Sequence, residues 1–332
     1  MDNANPELEF GNESNGNTFR EQNADSGTDR KLSYTKYLTP SKLVELYCLI
    51  CRIYDSQSCL KYQRLSNFKP RFTDQELIAV YLFGHLNGLY QKKAIYRFTR
   101  NYWRDWFPHL PSYQAFNRRL NLLESAFHWI GASLLDTLAD GQSAELDHLI
   151  DSMPVMLATG SFSRRARVAL DVANTGYCAA KRLYFHGVRL HLIARRNSGS
   201  LPKPLHIWLR EASVHDLPSL KEQQIPLPDS TLFGDKAFCD KALETQFKEQ
   251  NTRLLVPKKK PRGKELSYFE KEQNRLISKI RQPIESFFNW LIGKTQIQRA
   301  SRVRSTNGLL VHCFGKLTFA LLLLVFYYWF TL

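Results

Sequence analysis

Apolar positions recur at spacings of three and four from Leu43 to Tyr54, where Leu43, Leu46, Tyr47, Ile50 and Tyr54 share one face. That periodicity predicts a helix opening at Thr39-Pro40-Ser41. Thr73-Asp74-Gln75-Glu76 has the form of a capping box and predicts a second helix from Glu76 to about Leu89. A third is predicted over about Lys92–Trp106, stopping before Pro108. A fourth follows Ser112 and carries Arg118 and Arg119 in its early turns. Residues 33–138 therefore read as an all-helical unit.

The texture changes near Leu146. Leu146–Asp151 is a short apolar run ending on an acid, and Leu183–Arg195 and Pro204–Glu211 read as strands. A short helix at Leu217, a strand over Thr231–Asp235, a helix over Lys241–Gln250 and a strand over Arg253–Pro257 come next. A basic stretch, Lys258–Lys264, leads into further helices. This succession is an α/β order. The region from 139 to 316 is expected to be one such domain.

The two ends differ from this body. Residues 1–32 are polar and without periodicity, which predicts a disordered leader. Leu317–Leu332 is sixteen residues without a charge, preceded by Lys316. A membrane span needs about 20 apolar residues, so 317–332 is expected to be an apolar helix packed on the body, with a tail anchor as the alternative. No membrane partner is expected. Cys48 and Cys51 form a C-x-x-C without a second pair to complete a zinc site, and are expected to be buried structural thiols. The absence of an apolar leader points to a reducing, intracellular setting without disulfides.

Charge narrows the function classes. The chain has 46 Lys+Arg against 31 Asp+Glu. Residues 1–30 hold seven acids and two bases, so the remainder carries +20. A body that basic repels itself unless a polyanion is present, and double-stranded DNA is the first candidate.

Three acids stand out against this background. Asp151 ends a strand in HLIDSMP, Asp235 ends another in TLFGDKAF, and Glu285 lies in RQPIESFFNWL at the start of an amphipathic helix. Carboxylates at the ends of apolar strands are costly without a counter-ion. Two such strands with a helix laid across them bring three carboxylates to one place. An oxygen-only set suits Mg²⁺ or Mn²⁺, and two ions about 3.5–4 Å apart clamp the attacking and leaving oxygens of a phosphodiester displacement.

The blocks FTDQELIAVYLFGHLNG, IYRFTRNYWRDWFPHLPSYQAFNRRLNLL, HLIDSMPV, GYCAAKRLYFHGVRLHL, LREASVHD, LFGDKAF and RQPIESFF run in order over about residues 71–288. In that order and spacing the sequence resembles bacterial insertion-sequence transposases of the DDE class, most closely the insertion sequence 982 family. The resemblance implies an RNase H-like catalytic domain behind an N-terminal helix-turn-helix-like domain. It implies cleavage at element ends and joining by 3′-hydroxyl attack in the prokaryotic, nucleoid-associated cytoplasm, with a homodimer or higher assembly on DNA. Asp151, Asp235 and Glu285 match the three family acids, as catalytic residues and ligands of two Mg²⁺ or Mn²⁺ ions. Related enzymes carry a Tyr-Arg-Glu-Lys pattern around the last acid. Arg281 fits it; Ser278 stands at the tyrosine position and Ile292 at the lysine position, with Lys294 two residues on. Pro283 is expected to open the helix, leaving Arg281 outside it. A nuclease of the same fold that does not join strands, and a DNA-binding derivative without catalysis, are the alternatives.

DNA contacts are expected from Gln114, Asn117, Arg118 and Arg119 on the fourth helix, where base readout competes with a scaffold role. Lys236, Lys258, Lys259, Lys260, Arg281 and Lys294 are expected at phosphates. Lys236 points away from Asp235 if the strand persists. Asp216 is expected in the first turn of the helix at Leu217 rather than among the catalytic acids, and Asp147 to pair with an Arg or Lys. His186 and His191, five apart on one strand, fall on opposite faces, which argues against joint metal binding.

Overall fold

The computed structural model describes residues 39–56, 70–139, 146–260, 263 and 265–330, the last four as backbone only. The expected leader, 1–32, lies outside them. Among the described residues five helices come first: α1 (Pro40–Ser56), α2 (Asp74–Leu86), α3 (Lys92–Tyr102), α4 (Tyr113–Asn121) and α5 (Glu124–Ala139). Leu43, Leu46, Ile50, Ile53 and Tyr54 form the buried face of α1. Both arms of the Thr73–Glu76 capping box close the start of α2, which is buried from Leu77 to His85 and so runs through the centre of the layer. The Ser112 hydroxyl accepts from the Ala115 N–H to start α4. α3 stops at Tyr102, earlier than its pattern suggests, because Trp103 and Phe107 leave the helix to pack inward. Cys48 is exposed and Cys51 half-buried, so the C-x-x-C is not the buried pair expected; among the described residues every cysteine is a free thiol.

Among the described residues the sheet has six strands: β1 (Asp147–Thr159), β2 (Asn174–Cys178), β3 (Leu183–Arg195), β4 (Lys203–Glu211), β5 (Thr231–Phe233) and β6 (Arg253–Leu255). β3 lies antiparallel to β1 and carries β2 on its first half and β4 on its second. β5 and β6 extend the other side, both parallel to β1. The order is β2-β3-β1-β5-β6 with β4 on β3. β2 is absent from the sequence reading, since five residues with Asn, Thr and Gly give no apolar alternation. β1 is more than twice as long as its apolar run. Only Asp147–Leu149 pair with β5, so the edge is open at Pro154 and its missing N–H leaves no gap there. Farther along, the 298–300 segment docks on that edge: the Met156 N–H donates to the Gln298 carbonyl and the Ala300 N–H to the Met156 carbonyl, each at 2.8 Å.

Alternation along β1 covers both faces of the sheet. Leu149, Met153 and Val155 belong to one continuous core with Leu46 of α1, Phe127 of α5 and Phe287. Ile150 belongs to a second core beneath α6 (Asp216–Gln223) and α7 (Lys241–Glu249), with Trp208, Leu220, Phe238 and Phe247. The described residues form one compact unit in which the helices α1–α5 and the sheet share the larger core.

The remaining helices are α8 (Tyr268–Thr295) and α9 (Thr306–Phe330). Pro283 does not open a helix. α8 starts fifteen residues earlier at a Ser267–Glu270 capping box and runs through Pro283. An interior proline costs about 3 kcal/mol; burial of Ile284, Phe287, Phe288 and Leu291 just beyond it offsets that cost. α9 begins at Thr306, so Lys316 stands mid-helix rather than as an upstream cap. The stretch Thr306–Phe326 is long and apolar enough to cross a membrane by length and composition, yet most of it is buried inside the protein. It lies along α5, where the Thr318 hydroxyl donates to the Phe127 carbonyl at 2.7 Å. Gly131 permits that approach: a Cβ there would sit 3.3 Å from the Thr318 hydroxyl oxygen.

Candidate active site

The parallel pairing of β1 with β5 ends at Leu149 and Phe233. Asp151 and Asp235 each stand two residues past that pair, so they reach the same level. Asp151 does not end its strand as expected: β1 runs on to Thr159, paired with β3, and only its pairing with β5 stops, whereas Asp235 lies just past the end of β5. β5 stops at Phe233, two residues short of the expected end. The chain turns at Gly234, where a Cβ would lie 2.9 Å from the Phe238 ring and 3.3 Å from the Ile150 side chain. Asp235 then accepts from the Ala237 N–H at 2.8 Å and caps a one-turn 3₁₀ helix, Lys236–Phe238. Because the strand does not persist, the alternation that would aim Lys236 away from Asp235 does not apply; its side chain is exposed.

Asp151 shares its strand face with Leu149 and Met153, the face that α8 covers. Arg281 of α8 donates from Nη2 to Asp151 Oδ2 at 3.2 Å, and the Ser152 N–H donates to Asp151 Oδ1 at 2.8 Å. Burial pushes the Asp151 carboxyl up to about 6. Arg281 and the Ser152 N–H oppose that shift, while the charges of Asp235 and Asp216 add to it. Glu285 is one helical turn beyond Arg281, on the same face of α8 and exposed. Among the described residues, no three His, Cys, Asp or Glu side chains are disposed to hold a metal ion. In this arrangement a cationic guanidinium, not Glu285, is the partner of Asp151.

Ser152 projects from the opposite face of β1. Its hydroxyl donates to Asp216 Oδ1 at 2.6 Å. Asp216 opens α6, as its sequence context predicts, and lies 3.6 Å from His191 Nδ1 and 3.9 Å from Arg189 Nη1. Burial lowers His191 to about 4, so the ring is neutral at pH 7; it stacks on Trp208. This network of Ser152, Arg189, His191 and Asp216 escapes sequence reading, because its members are scattered and none sits in a recognisable spacing. His186 lies elsewhere, against the Val168 carbonyl. Asp147 pairs with Arg196 at 3.4 Å.

The residues expected at DNA are dispersed. Gln114 and Arg118 are exposed on α4, while Asn117 is half-buried. Arg119 is held by Asp74 at 2.7 Å and braces α4 against the start of α2. Lys258 pairs with Glu270 and Lys260 with Glu265, whereas Lys259 and Lys294 are exposed. Arg281 faces Asp151 rather than open surface.

The family described as a transposase DDE domain matches residues 144–323, more than half of the chain. The chain belongs to that family. The match starts at the approach to β1 and ends within α9, so it takes in the whole sheet, both aspartates and α8. No curated protein and no solved structure matches the chain. Membership of the DDE transposase family makes this a nuclease- or transposase-type enzyme, whose relatives generally use divalent metals. Within this mixed α/β fold, Asp151 and Asp235, just past the paired stretch of β1 and β5, are the candidate centre.

Proposed function

We propose that this chain is a DNA transposase of the insertion sequence 982 kind, acting on double-stranded DNA in the prokaryotic cytoplasm and assembling as a dimer or higher on element ends. In this reading residues 139–316 are an RNase H-like catalytic domain and 33–138 a helical DNA-binding domain. One observation carries the proposal: Asp151 and Asp235 stand at equal offsets past the last paired residues of β1 and β5, and α8, which carries Glu285 one turn on, reaches Asp151 through Arg281. The sheet order, with β1 central, antiparallel partners on one side and parallel ones on the other, supports the RNase H-like assignment.

The donor set is carboxylate oxygen throughout, and burial, with the charges of Asp235 and Asp216 adding to it, raises the proton affinity of Asp151. Those features fit a hard divalent cation. Asp151, Asp235 and Glu285 would hold Mg²⁺ or Mn²⁺, which when bound would supply activation of the attacking oxygen and stabilisation of the departing one. The chain's own part is positional. Arg281 holds the Asp151 carboxylate toward α8, and the turn at Gly234 fixes Asp235 beside it. An in-line displacement asks for no Ser or Tyr nucleophile. The basic body supplies sequence-independent affinity for the duplex.

Incubation with a pre-cut terminal-repeat duplex bearing a 3′-hydroxyl, a target plasmid and Mg²⁺ tests the reading. The expected result is duplex joined to plasmid, lost in EDTA. Metal-dependent nicking without joining would favour a nuclease, and retained binding without either reaction a catalytically silent DNA-binding protein.

A further inference from the structure

A cavity of about 610 Å³ opens between α3, α4, the 296–305 turn and α9. It lies within the roughly 300–1,000 Å³ range of ligand pockets. Its wall holds six cations: Lys92, Lys93, Arg299, Arg302, Arg304 and Lys316. No Asp or Glu lines it, and among the described residues none of the six forms an ion pair with a carboxylate.

The deepest cation is Lys316, only 3% exposed in a helix whose next six residues are apolar or Thr. Among the described residues its ammonium, with three donors, reaches a single acceptor, the Gln296 carbonyl at 3.2 Å. Among the same residues Lys92 is held by the Asn121 side chain alone. Burial lowers both lysines to about 8. Buried charges without counter-ions cost stability, and a Leu or Met at 316 would continue the packing of α9. Arg299 and Arg302 are exposed at the rim, and the Arg302 guanidinium is steadied by Gln91. Tyr90 and Tyr113 add aromatic surface.

We infer that this cavity is a phosphate site that takes a nucleotide, with Lys92 and Lys316 at its base on the phosphate and Arg299 and Arg302 closing over it. Compact ammonium groups bind phosphate as point charges, and guanidinium groups bind it in a bidentate fork. The tyrosine rings offer the base a stacking surface. The nucleotide comes either from a DNA strand or from the free mononucleotide pool. The inference concerns residues apart from the three acids and does not depend on metal.

Calorimetric titration of the full chain in EDTA tests it, with inorganic phosphate, dAMP and a 5′-phosphorylated single-stranded ten-mer as probes. Binding of dAMP or of the ten-mer is expected, weakened at least tenfold in Lys316→Met and in the rim variant Arg299→Gln/Arg302→Gln. The rim variant keeps the test sound if Lys316→Met does not fold. Binding of dAMP alone assigns the free nucleotide; binding of the ten-mer alone assigns the strand. No binding of any probe, binding of inorganic phosphate alone, or affinities unchanged in every variant that folds would overturn the inference. An Asp151→Asn protein is expected to bind the same probes undiminished, which separates this result from the outcome of the joining assay.

Discussion

Asp151→Asn is expected to lower strand joining by roughly 10³-fold or more, with terminal-repeat affinity changed less than about twofold. Asn keeps the shape and an acceptor for Arg281 but removes the charge a divalent cation requires. Asp235→Asn is expected to match it, because the two carboxylates stand at the same level past paired strands. Glu285→Gln should be equally inactive. Binding survives because affinity rests on the basic surface. Asp151→Asn should also leave the melting temperature unchanged or higher, since a carboxyl raised to about 6 is an unfavourable anion at pH 7. Joining rates and gel-shift affinities measured side by side check this. Full activity in Glu285→Gln would remove that residue from the centre.

Acid is expected to unfold the protein well before the carboxylates of an ordinary domain are titrated. His85 is 2% exposed, bonded to the Tyr81 carbonyl at 2.9 Å, and lowered from 6.5 to about 3 by burial, with Lys316 adding to the shift. A group depressed in the folded state contributes stability that is complete above its unfolded value and is lost as pH falls. At pH 5 the loss from His85 alone is about 2 kcal/mol. His312, on α9 beside Lys316 and Lys92, is lowered to about 3, and His148 and His191 to about 4; all act in the same direction. Asp151 opposes them, because its raised value favours the folded state as pH falls from 6, by about 1 kcal/mol at pH 5. The balance is a loss of several kcal/mol between pH 7 and 5, large against a typical total of about 5–15 kcal/mol. Urea melts at both values measure it. In His85→Gln the drop should shrink by about 2 kcal/mol; parallel profiles for the two proteins would contradict the assignment.

What was legible in the sequence follows the strength of local signals. α1, α2 and α4 are readable because side-chain caps and three-four spacing act within a few residues. β3, β4, β5 and β6 are readable from apolar runs. β2 is not, being five polar-leaning residues held only by its neighbour β3. The start of α8 is not legible because proline is a strong local signal, while burial of Phe287 and Leu291 is a tertiary one that overrides it. Lys316 misled in the same way: a charge reads as the edge of a buried segment, and here it sits inside one. At the candidate site, the offsets of Asp151 and Asp235 depend on strand register, which apolar runs foreshadow. The Arg281–Asp151 contact depends on α8 continuing through Pro283, so it was out of reach. The cavity around Lys92 and Lys316 joins segments more than 200 residues apart and leaves no motif.

A divalent cation is expected to bind where the pairing of β1 with β5 ends. Anomalous diffraction from crystals grown with Mn²⁺ and a pre-cut terminal-repeat duplex tests it most directly. The predicted result is an anomalous peak coordinated by Asp151 and Asp235, with the Glu285 carboxylate turned onto it and Arg281 displaced from Asp151. A peak elsewhere, or a Glu285 carboxylate remote from both aspartates in that complex, would contradict it.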